Sequence, residues 1–167
     1  LELILFDIFA VVGVVSALLV VTRRNPIVSA LWLIVNFFCL SGLYLTLHAQ
    51  FIAVIQILVY AGAIMVLFVF VIMLLNLGDE RRLRDALSWK KVIAAGLSFG
   101  VLMELIYAFM IQGQRYPFDA MKATNIGTVE YIGSQLFTKF LFPFEITSLL
   151  LTAALIGAVV LAKKKFE

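Results

Sequence analysis

The sequence predicts an all-α membrane protein: five transmembrane helices, with the N-terminus outside and the C-terminus in the cytoplasm. Three observations carry this reading. Of the 167 residues, 64% are hydrophobic and 14% charged, against roughly half and a quarter in soluble domains. The apolar residues gather into five runs, each of about the 20 residues needed to cross a hydrocarbon core of roughly 30 Å. Basic residues separate these runs unevenly. Ten of the 13 lysines and arginines lie in the first connection, the third connection and the C-terminus, and three lie on the other side; the basic-rich side is the cytoplasmic one. The whole chain, 1–167, is expected to form a single membrane domain.

Helix one is expected over about 3–22. It begins at once, with no basic region or small-residue cleavage site before it, so it reads as a retained helix and not as a removed signal peptide. The chain opens on Leu1 without an initiator Met, so one or more residues are expected before it. Gly13 and Ala17, four apart, offer a small-residue face for close packing of a second helix. Arg23-Arg24-Asn25-Pro26 makes a tight connection in which Asn25 suits the N-cap and Pro26 the first helical position. Helix two follows over about 27–47, and His48-Ala49-Gln50 links it to helix three.

Helix three, about 51–76, contains the longest apolar run, Phe51 to Leu75, and Gln56 is the only strongly polar member of that run. From Phe51 to Leu75 it would reach about 37 Å as a regular helix, more than the bilayer core requires. Tyr60-Ala61-Gly62-Ala63 places a patch of small residues near its centre. A run of this length tolerates tilt or a local bulge. A stop is expected at Asn76-Leu77-Gly78, with Gly past the end. A charged loop then covers 79–85, and Trp89-Lys90-Lys91 returns the chain to the membrane surface. Helix four is expected over about 92–112 and helix five over about 143–162, ending in three lysines. Between them lies an extramembrane segment, 113–142, part of it a candidate surface helix.

Ionisable residues inside spans are costly and are functional candidates by default. Glu104 lies near the middle of helix four, and Gly96, Gly100 and Glu104 recur four apart on one face. It is a candidate protonatable group in a proton path; the alternative is a neutral, hydrogen-bonded acid joining two helices. Glu145 would be the third residue of helix five if Pro143 were the first. It reads either as an interfacial first-turn acid favoured by the helix dipole or as part of a buried polar network. Asp7 leans to the interfacial reading. Gln56, Tyr60 and Ala63 would share one face of helix three at regular spacing. Their stripe is either an interhelical hydrogen-bonding seam or the site of a bulge with i→i+5 bonding.

One cysteine (Cys39) and one histidine (His48) leave this chain without a multi-Cys cluster site or a His-rich haem or zinc site. There is no phosphate-binding glycine loop and no hydrolytic grouping. The basic residues sit in short clusters between spans and orient the chain in a lipid bilayer; nothing points to nucleic acid.

The stretch from Val59 through Tyr60-Ala61-Gly62-Ala63-Ile64-Met65 to Asn76 closely resembles the third helix of subunit J of the proton-pumping NADH:quinone oxidoreductase, respiratory complex I, known as chain 6 in mitochondria. Arg24-Asn25-Pro26-Ile27-Val28-Ser29-Ala30-Leu31 is similar to that family's first connection, and Phe144-Glu145-Ile146-Thr147-Ser148-Leu149-Leu150-Leu151 to the start of its last helix. Helix four and the long loop match only in general character.

The resemblance implies a translocase subunit in the bacterial inner membrane, part of a hetero-oligomer with subunits H, A, K and N, that couples NADH-to-quinone electron transfer to proton translocation. It implies no cofactor in this chain, with FMN, iron–sulfur clusters and quinone in partner subunits. It also implies that Tyr60, Ala61, Gly62, Ala63, Ile64 and Met65 form a switch between bulged and regular helix that opens a water path, with Gln56, Tyr60, Glu104 and Glu145 as candidates for the path or its polar network. Two departures stand out: some relatives have glutamate where this chain has Gln56, and Glu104 has no counterpart in the family motif. A subunit of a related cation/proton antiporter or membrane-bound hydrogenase assembly, and a purely structural assembly subunit, are the alternatives.

Overall fold

The computed structural model describes residues 1–75, 89–112 and 126–163. They form helices α1 (Glu2–Thr22), α2 (Pro26–Thr46), α3 (Gln50–Leu74), α4 (Trp89–Gln112), α5 (Val129–Phe137) and α6 (Leu141–Ala162). Five of these, all but α5, are long and apolar enough to cross a membrane.

The starts differ from expectation by one to three residues. The largest shifts are at α4, which begins at Trp89 and not 92, and at α6, which begins at Leu141 and not 143. The second shift moves Glu145 out of the first turn. The start of α6 carries no side-chain signal like Asn25-Pro26: Phe140, at its N-cap, makes no capping hydrogen bond. The expected stop at 76–78, the charged loop at 79–85 and the segment 113–125 lie outside the described residues. Within the expected extramembrane segment, α5 is capped by Thr128, whose hydroxyl accepts from the Tyr131 N–H at 3.3 Å.

α1 and α2 form an antiparallel hairpin. Asn25 Oδ1 accepts from the N–H groups of Ile27 (2.9 Å) and Val28 (3.4 Å), satisfying two of the donors that a helix start leaves free. Lipid is as apolar as leucine, so helices here associate through close packing and polar contacts and not through hydrophobic burial. The buried residues of α1 and α2 follow that rule: Ser16 on α1, and Ala30, Cys39, Ser41 and Gly42 on α2. A Cβ on Gly42 would come within 2.7 Å of the Phe9 ring, and one on Gly13 would touch the Cys39 Cβ at 3.5 Å. The Asn36 amide donates to the Gly13 carbonyl (2.8 Å) and to Ser16 Oγ (3.1 Å). The small-residue face of α1 is therefore Gly13 with Ser16, and the expected partner Ala17 is exposed.

α2 ends in a Schellman motif. The Ala49 N–H reaches the Tyr44 carbonyl (2.9 Å) and the His48 N–H the Leu45 carbonyl (3.1 Å). His48 takes φ 60°, the left-handed position that glycine usually fills. Gly127 lies against the backbone of His48 and Ala49 so closely that a side chain there would overlap it.

α3 returns along α2. Ser41 Oγ donates to the Ala53 carbonyl at 2.9 Å, and Ala30, Met65 and Ile72 make a buried cluster flanked by Leu33, Ile34, Phe37 and Val69. α5 packs on α6 through an edge-to-face pair, Phe137 and Phe144, 5.3 Å between centroids. Ile93–Ile111 of α4 and Leu141–Ala162 of α6 bury no residue among those described, and a Cβ on Gly96 or Gly100 would meet nothing within 4 Å.

Candidate functional site

α3 is not a uniform α-helix. Gln50–Ile55 is α-helical, Gln56–Ile64 is π-helical, and Met65–Leu74 is α-helical again. The Met65 N–H marks the exit, reaching the carbonyl of Tyr60, five residues back, as well as that of Gly62. π-Helix is rare, and where it occurs inside α-helices it is frequently at functional sites.

The burial pattern records the change of register. The buried residues of α3 are Ala53, Gln56, Ala61, Met65 and Ile72. Between Gln56 and Ala61 the step is five. In a regular helix that step would place the two about 140° apart around the axis; the wider π turn brings them onto one face. The regular-spacing stripe of Gln56, Tyr60 and Ala63 expected from the sequence is accordingly broken. Gln56 is 7% exposed, Tyr60 is 45% exposed, and Ala63 is on the exposed side.

Tyr60 packs its ring edge-to-face on Phe37 of α2, with centroids 5.6 Å apart and planes at 61°. Ala61 is buried and Gly62 half-buried. A Cβ on Gly62 would press on the Ile57 carbonyl oxygen at 3.2 Å, so the smallest residue relieves a tight contact inside the π segment. Ile64 is its last residue and is exposed, and Met65, 3% exposed, opens the following α-helix against α2.

Gln56 and Tyr60 thus lie within the π segment. Glu104 and Glu145 stand on α4 and α6, both exposed, on helices without extensive packing onto α3 among the described residues. The Glu145 carbonyl accepts from Ser148 Oγ at 2.7 Å. Among the described residues, no three His, Cys, Asp or Glu side chains come together in a way that could hold a metal ion.

Sequence reasoning placed the small-residue patch but missed Phe37, the aromatic partner of Tyr60. It also missed the Asn36–Ser16–Gly13 contact. The signal for the second was present: Asn36 is a strongly polar residue in the middle of an apolar run, and such a residue seeks a partner across a helix interface.

The arrangement holds one extra residue of register between two stretches of α3 that each pack on α2. If the π segment closed to regular helix, Met65–Leu74 would rotate by about 100° for the one residue absorbed. Met65 and Ile72 would leave Ala30, and Tyr60 would leave Phe37.

The chain is similar to known proteins over nearly its whole length. The family model for NADH-ubiquinone/plastoquinone oxidoreductase chain 6 matches residues 16–161. The NADH-quinone oxidoreductase subunit J of Rickettsia typhi is 34% identical over 167 residues, covering 98% of this chain and 82% of the relative. NAD(P)H-quinone oxidoreductase chain 6 of Leptolyngbya boryana is 37% identical, covering 99% and 81%, and subunit J of Rhodobacter capsulatus is 33% identical, covering 93% and 79%.

Proposed function

The chain belongs to the NADH-ubiquinone/plastoquinone oxidoreductase chain 6 family, and from that membership we propose that it is a non-redox membrane subunit of respiratory complex I that couples NADH-to-quinone electron transfer to proton translocation. The chain sits in the bacterial inner membrane, N-terminus outside, as part of a hetero-oligomer with subunits H, A, K and N. FMN, iron–sulfur clusters and quinone belong to its partners. Its own contribution is conformational. The observation that supports this is the π-helical segment Gln56–Ile64, which stores one residue of register in a spanning helix.

Closing and reopening that segment turns the second half of α3 against α2. Rotation of Met65 and Ile72 away from Ala30 opens the interface there, and water entering beside Gln56 and Tyr60 carries the proton. No charged residue lies on α3, so carboxylates elsewhere, Glu104 and Glu145 among the candidates, supply titratable stations. The small residues Ala61, Gly62 and Ala63 lower the steric cost of interconversion.

Replacing Gly62 with Val tests this. The β-branched side chain is stiff and meets the Ile57 carbonyl. Assembly and NADH oxidation are expected to survive while protons pumped per NADH fall. An assembled Gly62→Val complex that pumps with unchanged stoichiometry would leave the chain a purely structural subunit.

A further inference from the structure

We propose that the cavity between the α1–α2 connection and the second half of α3 holds an anionic phospholipid, its phosphate on Arg23 and Arg24 and the upper part of an acyl chain below them. The cavity is the one formed with the π segment in place, since Phe68 and Ile72 of its wall lie in the half of α3 that follows it. The cavity has a volume of about 390 Å³, and Arg23 and Arg24 line it together with Val20 of α1, Leu33 of α2, and Phe68 and Ile72 of α3.

The depth ordering of these residues is that of an amphiphile. The arginines lie between the last residue of one span, Thr22, and the first of the next, Pro26, where a membrane hairpin meets the headgroups. Leu33 lies seven residues into α2, which is about 10 Å deeper along the helix. Phe68 lies six residues before the end of α3 at Leu74, at a comparable depth of about 9 Å. Charge at the mouth therefore gives way to aliphatic and aromatic walls within two helical turns.

Three helices meet here, and their side chains leave a gap that lipid is at hand to fill. Ser29 also lines the cavity, but its hydroxyl is already engaged, donating to the Arg23 carbonyl at 3.2 Å. Anion binding thus falls to the guanidinium groups, whose planar forks match phosphate oxygens two at a time. Two adjacent cations at a membrane surface favour a lipid with net negative charge over a zwitterionic one.

The test is photolabelling of the chain in its native assembly, reconstituted into vesicles. Phosphatidylglycerol carrying a diazirine high on one acyl chain is compared with phosphatidylcholine labelled identically, and adducts are mapped by peptide mass spectrometry. Adducts are expected on the peptides containing Val20, Leu33 and Phe68–Ile72, in severalfold excess from phosphatidylglycerol. The R23Q/R24Q variant should lose about thirtyfold of that labelling, the scale expected when two basic side chains are removed from an anionic surface.

The arginines also help set topology, so a second variant keeps them: Val20→Trp fills the cavity beneath and should abolish the adducts in an otherwise assembled complex. Equal labelling by the two lipids would overturn the proposal, as would labelling unchanged in R23Q/R24Q or in Val20→Trp. So would an assembled complex in which these peptides cross-link to a neighbouring subunit and take no lipid.

Discussion

Gln56 and Ala61 are consecutive members of the buried face of α3, yet five positions separate them. On the N-terminal side of the gap the helix packs through Ala53, whose carbonyl accepts from Ser41 Oγ. On the C-terminal side it packs through Met65 and Ile72 against Ala30. Each half is in register with α2, and the two halves are out of register with each other by one residue. The π segment absorbs the difference.

That arithmetic yields a sharp test. Leu58 lies inside the segment and is 66% exposed, so its deletion removes one residue without emptying the interface. Gln56 and Ala61 would then be four apart, as a regular helix requires, and both packing faces would be kept. Deleting Leu58 is expected to give a complex that assembles and oxidises NADH with no register left to exchange, so proton pumping in vesicles should be lost. Pumping at the wild-type stoichiometry would exclude the register change as the coupling step.

Glu104 is a second point of attack. Glu104→Gln keeps size and much of the hydrogen-bonding capacity but cannot carry a proton. If Glu104 is a station on the path, the pumping rate should fall with the complex intact. If it only joins helices, the substitution should leave pumping unimpaired.

The α1–α2 hairpin is expected to depend on Asn36. Its amide bridges the Gly13 carbonyl and Ser16 Oγ across the interface. Asn36→Leu removes both contacts and forces a larger side chain against a close helix crossing. Interhelical hydrogen bonds in membranes contribute about 0.6 kcal/mol on average, and up to roughly 1.7, so a loss on the order of 1 kcal/mol is expected. Denaturant titration of the chain in micelles would measure it, with Ser16→Ala as a milder companion.

His48 should give the opposite sign. Its left-handed backbone, φ 60°, costs an L-residue roughly 1–2 kcal/mol. His48→Gly is expected to recover part of that, offset by the greater freedom glycine has when unfolded. The result should be a modest rise in thermal midpoint. Gly127→Ala, which places a methyl into the His48 backbone, should lower it.

Much of this architecture was legible in the residues. Five apolar runs, the Asn25-Pro26 helix start and the placement of the basic clusters require only local chemistry: an apolar segment of sufficient length, a capping oxygen, a proline without an N–H. The small-residue patch from Ala61 to Ala63 was legible for the same reason, since few residues permit a close or distorted backbone.

What the sequence could not disclose was which face of each span turns inward. In water, hydrophobic periodicity reveals the buried side of a helix. In lipid both sides of α3 are apolar, and the pattern carries little information. The inward face is marked instead by small and polar residues, and these do not say how far apart along the chain two successive contacts should be.

By itself, then, the sequence determined the number of apolar runs long enough to span, the family and the place of the small-residue patch in α3. Tertiary packing decided the register. Regular and π-helical bonding differ by which carbonyl each N–H reaches, and no side chain from Gln56 to Ile64 dictates that choice locally. It is made where Tyr60 meets Phe37 and Met65 meets Ala30, contacts that hold together with the Ser41–Ala53 bond only when one extra residue is wound into the helix between them.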